Sequence, residues 1–259
     1  MSAKKYASST IRGKLRVCSY LKANRRLKPH VPHTKGFNRM NLEQMLGQHG
    51  SLYVKPDIGS LGIGIMNVKK TSEGYELKEI TGKRQRVSSF RTASSLYESM
   101  LGKQKGKLII QQAITLDLVN GRPYDIRVMV QRRPGGKWTC TGFLVKVGAA
   151  NKIVTNYYQG GDIYTLHKLN EKLGLSSDES ARRKADFTNL ALEIARTLSK
   201  RKSGMREMGV DFAYSKSDRI WVLEVNSNHP QFHPLKKLDS AAYKKMKSFA
   251  ASYGRTDAK

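Results

Sequence analysis

Acidic residues are scarce in this sequence: 20 Asp and Glu stand against 48 Lys and Arg, leaving a formal charge of +28. The first 42 residues carry 11 Lys or Arg and no acid. Such a field attracts ATP, acidic peptides or polymers, and it leaves nucleic acid open as a partner. A generally basic surface explains it equally well, because no aromatic-rich RNA motif, zinc finger or helix-turn-helix pattern accompanies the charge. Cysteine is nearly absent. Cys18 and Cys140 belong to no CxxC or Cys/His cluster, which argues against a zinc site and a disulfide scaffold and fits a reducing cytosol. No run of ~18 apolar residues occurs, so no membrane span is expected. The N-terminal MSAKKYASSTIRGKLR lacks the apolar stretch of a secretory signal. There is also no GxxxxGK[ST] loop and no Ser/His or Cys/His arrangement for nucleophilic catalysis.

What is present supports a core. The chain has 259 residues, 39% of them hydrophobic, enough for one large domain or two lobes sharing a cleft. The patterns predict helices over 13–24, 41–50 (capped by Asn41), within 88–101, over 177–202 and over 238–252. Ser176 and Glu179 form a capping-box pair before the longest of them. Strands are expected at 51–55, 64–69, 75–80, 84–90, 107–114, 124–131, 137–147, 209–214 and 219–225. Strands and helices do not alternate regularly, so the class is α+β.

Three stretches carry chemistry. The first is Tyr53-Val54-Lys55-Pro56-Asp57-Ile58-Gly59-Ser60-Leu61-Gly62-Ile63-Gly64-Ile65. Its glycines let backbone N–H groups approach an anion, and Lys55 can place an ammonium on phosphate oxygens. The glycines lead into a strand and not a helix, which fits a hairpin folding over phosphates; by themselves they fit a plain turn as well. The second is Gly209-Val210-Asp211 followed by Glu224-Val225-Asn226-Ser227. Glu224 and Asn226 lie two apart and share a strand face. With an even-length turn within 215–218, Asp211 faces the even-numbered partners, and three hard oxygen donors meet; an odd-length turn puts Asp211 on the wrong side. The alternative is an ordinary solvated strand face.

The third stretch lies between these two. Gln111-Gln112-Ala113-Ile114 ends a strand whose backbone can bond an adenine edge, with Asp117 as a ribose partner or a plain strand end. Asp125 and Arg127 share a face, where the arginine serves either a phosphate or a strand salt bridge. Lys146 ends the paired strand, and Asn156 precedes the turn at Gly160-Gly161; both join the candidate nucleotide contacts.

Taken in order, Lys55-Pro56, the glycine loop, Gln111-Gln112, Asp125-Ile126-Arg127, Asn156 with Gly160-Gly161, Gly209-Val210-Asp211 and Glu224-Val225-Asn226-Ser227 resemble an ATP-grasp domain. The series is most similar to the YheC/YheD-type endospore coat-associated proteins, and RimK-type glutamate ligases show a similar run. The resemblance implies two α+β lobes clasping ATP. It implies Lys55 on phosphate, Gln112 and Ile114 at the adenine hinge, Arg127 and Asn226 near phosphate or acyl phosphate, and Asp211, Glu224 and Asn226 on Mg²⁺ or Mn²⁺. Lys14, in Gly13-Lys14-Leu15-Arg16, resembles the family's earlier lysine. Val154 stands where RimK-type ligases often carry Arg, and the hinge has Gln where many relatives have Glu. Such ligases also usually have an N-terminal pre-grasp domain that helps bind the carboxylate, and only a short basic stretch precedes the grasp region here. The expected division is a basic segment over 1–36, a first lobe over 37–110, a second lobe with the metal face over 111–235 and a basic terminal helix over 236–259. Two functions follow. One is a carboxylate–amine ligase working through an acyl phosphate; the other is a noncatalytic nucleotide- or polyanion-binding protein of the spore coat. A kinase on the same fold is a third. The expected location is cytoplasmic or associated with the coat, among coat proteins.

Overall fold

The computed structural model describes residues 4–59, 62–82, 84–103, 106–150, 152–155, 157–215 and 218–257. After the helix α1 (Lys14–Lys22) come β1 (Thr34–Gly36), α2 (Arg39–Gln48), β2 (Ser51–Pro56), β3 (Met66–Thr71), β4 (Gly74–Thr81), β5 (Arg84–Phe90), α3 (Ala93–Met100) and β6 (Leu108–Gln112). The strands make one antiparallel sheet in the order β1-β6-β2-β3-β4-β5. Strand β2 alternates: Leu52 and Val54 are buried under Leu42, Met45, Leu46 and Leu96 of α2 and α3. Tyr53 and Lys55 point the other way. The cap of α2 is Asn38 and not Asn41: the Asn38 side chain accepts from Asn41 N–H at 2.8 Å. The N-cap oxygen binds the donor three residues on, so the first asparagine of the pair is the cap.

The second sheet holds β7 (Leu118–Val119), β8 (Arg122–Gln131), β9 (Thr139–Val147), β10 (Asp162–Tyr164), β11 (Glu207–Tyr214) and β12 (Ile220–Asn226), in the order β10-β9-β8-β11-β12 with β7 beside β8. Between them run α4 (Leu166–Lys172) and α5 (Ser177–Arg201), the latter opened by the expected capping box. Phe187, Ala191, Ile194 and Leu198 of α5 pack on Val128, Val210 and Phe212. Beyond α6 (Leu235–Leu238), α7 (Ser240–Ala251) packs Met246 and Ala250 on Met129 and Leu144.

Two of the expected boundaries shift. Val17, Leu21, Leu27 and Val31 join the core of the second sheet, so the basic stretch before residue 36 is no separate unit. Val17 and Leu21 lie one helical turn apart and bury toward α5, while Lys4 and Lys14 turn inward onto Glu207 and Glu224. A boundary at 110/111 would cut β6, whose Gln111 and Gln112 still pair with Tyr53 and Leu52. The short elements β1, β7, β10 and α4 carry too few residues to show a period, and the sequence patterns do not predict them.

Candidate active site

A polar row crosses the second sheet. Lys146 on β9 lies opposite Asp125 on β8, Arg127 opposite Asp211 on β11, and Asp211 opposite Glu224 on β12. Directly opposed residues share a face, so side chains from four strands meet in one line. The hairpin reaches this arrangement differently from the sequence expectation. Beside its turn Tyr214 pairs with Ile220, a register set by an odd turn that would bring Leu223 opposite Asp211. An extra residue in β12, at Leu223, shifts the ladder between Phe212 and Asp211 and restores Glu224 to the shared face. The even-length turn is thus corrected, and a bulge does its work.

Asp211 is the centre of the row. Arg127 grips it with Nε at 2.7 Å and Nη2 at 2.8 Å, Lys146 Nζ stands at 3.2 Å, and Asn226 Nδ2 donates at 3.2 Å. Burial alone would raise this carboxyl, yet Arg127 and Lys146 draw it down to about 2. Burial pushes the neighbouring Asp125 up, against Lys146 at 2.7 Å. Lys146 is itself held above its ordinary value by Asp125 and Asp211, despite burial. Gly209 leaves the space for Arg127: a Cβ there would stand 3.1 Å from Arg127 Cδ and 3.2 Å from Pro230 Cβ. Glu224 is the more open carboxylate, and its partner is Lys14 Nζ at 3.2 Å.

The first sheet faces this row across a cleft of about 1350 Å³. Lys55 enters it from β2 and donates to Gln111 Oε1 at 2.7 Å, while Gln111 Nε2 donates to Thr34 Oγ1 at 2.8 Å. Burial lowers the Lys55 ammonium from its ordinary value, and Glu224 offsets this only in part. A desolvated ammonium held by a neutral amide favours an incoming anion. Gly62 and Gly64 both have φ of +71°, so the loop after β2 turns through the left-handed region. Tyr53 donates to the carbonyl of Ile153 at 2.7 Å and links the two lobes.

The expected residues therefore divide. Lys14, Lys55, Gly59, Gly62, Gln111, Gln112, Ile114, Arg127, Lys146, Asp211, Glu224 and Asn226 all line the cleft. Gly64 shapes the loop without lining it, and Ser60 and Asn156 lie outside the described residues. Four of the proposed nucleotide contacts have partners within the protein. Gln111 is turned inward as the clasp of Lys55. The N–H groups of Gln112 and Ala113 are spent on the carbonyls of His33 and Ser51, at 2.9 and 3.1 Å. Among the described residues the Ile114 N–H has no protein acceptor, and Ile114 lines the cleft. Asp117 does not line the cleft; it accepts from Tyr124 Oη at 2.8 Å and from Leu118 N–H. A polar residue just past a strand often closes a local turn, and these contacts fit the plain strand end. Two working residues carried no signal of their own. Asp57 accepts from Leu15 N–H at 2.8 Å and caps α1 from the other lobe. Thr155 donates a short hydrogen bond to Asp125.

The donors match the chemistry of a hard cation. Among the described residues no three His, Cys, Asp or Glu gather as a closed metal cage. Two carboxylates and an amide, open to a cleft walled by lysines, suit Mg²⁺, which keeps waters and takes phosphate oxygens as further ligands.

Known proteins resemble this chain in sequence and fold. The YheC/D-like ATP-grasp family model matches residues 3–256. The endospore coat-associated protein YheD of Bacillus subtilis (strain 168) is 28% identical over 245 residues, 89% of this chain and 52% of YheD. YheC of the same organism is 22% identical over 202 residues, covering 78% and 55%. The chain thus spans about half the length of the curated relatives it matches. Among solved structures, the ATP-grasp ligase PsnB with its minimal precursor is similar at TM-score 0.51 and 15% identity, over 93% of this chain and 60% of PsnB. PsnB with a phosphomimetic precursor variant, Mg and ADP gives 0.50 at 14% identity, over 93% and 58%. Two facing sheets, the glycine loop and a family match over nearly the whole length agree: this chain belongs to the YheC/D-like ATP-grasp family.

Proposed function

We propose that the cleft binds Mg²⁺ and ATP and that the protein joins a carboxylate to an amine through an acyl phosphate. One observation carries this reading: the row Lys146, Asp125, Arg127, Asp211, Glu224 and Asn226 faces Lys55 across a single cleft. Glu224 and Asn226, backed by Asp211, would hold Mg²⁺, which supplies charge neutralisation on the phosphates. Ile114 N–H meets the adenine edge. Lys55 and Lys14 fix phosphate oxygens, and Arg127 keeps Nη1 directed toward the loop carbonyl of Gln231, at 3.4 Å, while Asp211 holds its other nitrogens. Positioning and fixed charge supply the rate, so no nucleophilic side chain is needed.

The coat association of YheD and YheC and the ligase activity of PsnB support a coat-associated ligase here, with an acidic peptide or polymer among its substrates. A second reading has its own support. Asp211 already receives donors from Arg127, Lys146 and Asn226, and the charge is +28, as suits a noncatalytic protein that holds a nucleotide or polyanion within the coat. A carboxylate labelled with ¹⁸O separates the readings. A ligase transfers one label to inorganic phosphate as ADP forms; a kinase leaves phosphate on the acceptor; ATP binding without turnover across amino acids and acidic peptides leaves the noncatalytic protein. Glu224→Ala should remove the Mg²⁺ dependence of ATP binding with an unchanged circular dichroism spectrum. Equal affinity with and without Mg²⁺ in the wild type would end the metal assignment.

A further inference from the structure

A second chamber of about 390 Å³ adjoins the cleft. The two share Lys14, Lys55 and Glu224 as a partition. The residues that line the chamber and not the cleft include the aliphatic Val17 and Leu21 of α1, Val31 and Val222, beside the polar Thr10, Arg12, Asp57 and Ser227. Cys18 also faces this chamber and not the cleft. Its volume sits at the lower end of small-molecule pockets, room for a ligand of amino-acid size.

The chamber's lining is both cationic and apolar. Two cations stand at the partition, and Arg12 is a third in the lining. Lys55 is buried on a neutral amide, and among the described residues no carboxylate pairs with it. Lys14 Nζ lies 3.2 Å from Glu224 and 3.2 Å from the carbonyl of Gly59. The other acid of the chamber, Asp57, is committed to the N–H of Leu15. The Thr10 and Ser227 hydroxyls bond each other at 2.8 Å, and Ile11 N–H also binds Ser227. The wall thus offers cationic donors together with aliphatic surface. A matching ligand carries a single negative charge on an apolar body.

We propose that this chamber holds the carboxylate substrate, a small monocarboxylic acid with an aliphatic or aromatic body, its carboxylate against Lys14 and Lys55. The inference rests on the ligase reading and names the substrate class of that reaction. The partition brings the carboxylate beside the lysines that would hold the phosphates. A carboxylate oxygen attacks the terminal phosphorus, its new O–P bond forms as the bridging P–O bond breaks, and ADP leaves with the electron pair. The amine nitrogen then attacks the acyl carbon, inorganic phosphate departs with the C–O pair, and the nitrogen loses a proton.

Cys18 is the probe. The protein is alkylated with N-ethylmaleimide in the presence of 3-methylbutanoate or its neutral amide, 3-methylbutanamide. Mass spectrometry follows Cys18, with Cys140, on a separate wall, as the internal reference. The expected result is a saturable fall of at least ~10-fold in the Cys18 rate with the acid, little change with the amide, and none at Cys140. Equal protection by acid and amide, or none by either or by phenylacetate, overturns the pocket. Cys18→Phe fills the chamber and should bind ATP like the wild type while losing carboxylate-dependent ADP release. Should that variant misfold, Cys18→Leu repeats the test with a smaller plug. Undiminished ADP release in a folded, plugged variant also overturns the pocket. Protection of Cys18 in a wild type that never forms ADP keeps the pocket and sinks the ligase reading.

Discussion

The two walls of the cleft are built on opposite electrostatic plans. On the second sheet every charge has a partner: Arg127, Lys146 and Asn226 converge on Asp211, and Lys146 also holds Asp125. On the first sheet one buried ammonium, Lys55, rests on the neutral Gln111. The lesson is a division of labour. A satisfied network fixes geometry but has little attraction left to give, whereas an under-neutralised cation is poised for an anion.

The sharpest way to break this contrast is to empty the centre of the row. Asp211→Ala strands Arg127 as a buried cation, leaves Lys146 only Asp125, and should cost about 3–5 kcal/mol, read as a drop in the urea midpoint at unchanged slope. A loss near zero would mean the network is not holding the sheet. The same interaction has a pH signature. Asp211 falls from its ordinary 3.8 to about 2 on folding, so it stabilises the fold above pH ~4 and that contribution is lost as pH falls toward 2. Asp125, raised by burial, acts in the opposite sense and blunts the slope. Urea titrations from pH 5 to 2 should show stability falling with acid in the wild type and a flatter profile in Asp211→Asn.

Lys55→Met tests the other wall. It removes a desolvated charge, so the urea midpoint should barely move, while ATP affinity by calorimetry should fall ~10- to 100-fold, the worth of a charged hydrogen bond of roughly 1.5–3 kcal/mol. A variant whose urea midpoint drops sharply while it binds ATP normally would reverse the contrast. The smallest effect serves as the baseline: Asn38→Ala removes the cap of α2 and should cost about 1 kcal/mol without touching nucleotide affinity.

Much of this was legible because strands write their faces in alternation. The spacing of Glu224 and Asn226, and of Asp125 and Arg127, placed those pairs correctly, and the Ser176 capping box stood in the sequence as it stands in the helix. What was hidden depends on other segments. The bulge at Leu223 is a ladder irregularity with no residue of its own to announce it. Gln111 turned out to serve Lys55, because the partner sits 56 positions away on a neighbouring strand. Asp117 was claimed by Tyr124, and Asp57 by a helix end from the other lobe. The stretch over 1–36 reads as a separate basic segment because its charges outnumber its buried Val17, Leu21, Leu27 and Val31.

The extra residue at Leu223 makes the last hairpin a matter of odd and even counting. Removing Leu223 would leave a straight ladder in which the shortened strand still sets its glutamate opposite Asp211 and its asparagine opposite Gly209. Losing Val225 instead would leave Glu224 and Asn226 as neighbours on opposite faces of the strand. A single deletion should therefore be tolerated on one side of the glutamate and break the shared face on the other.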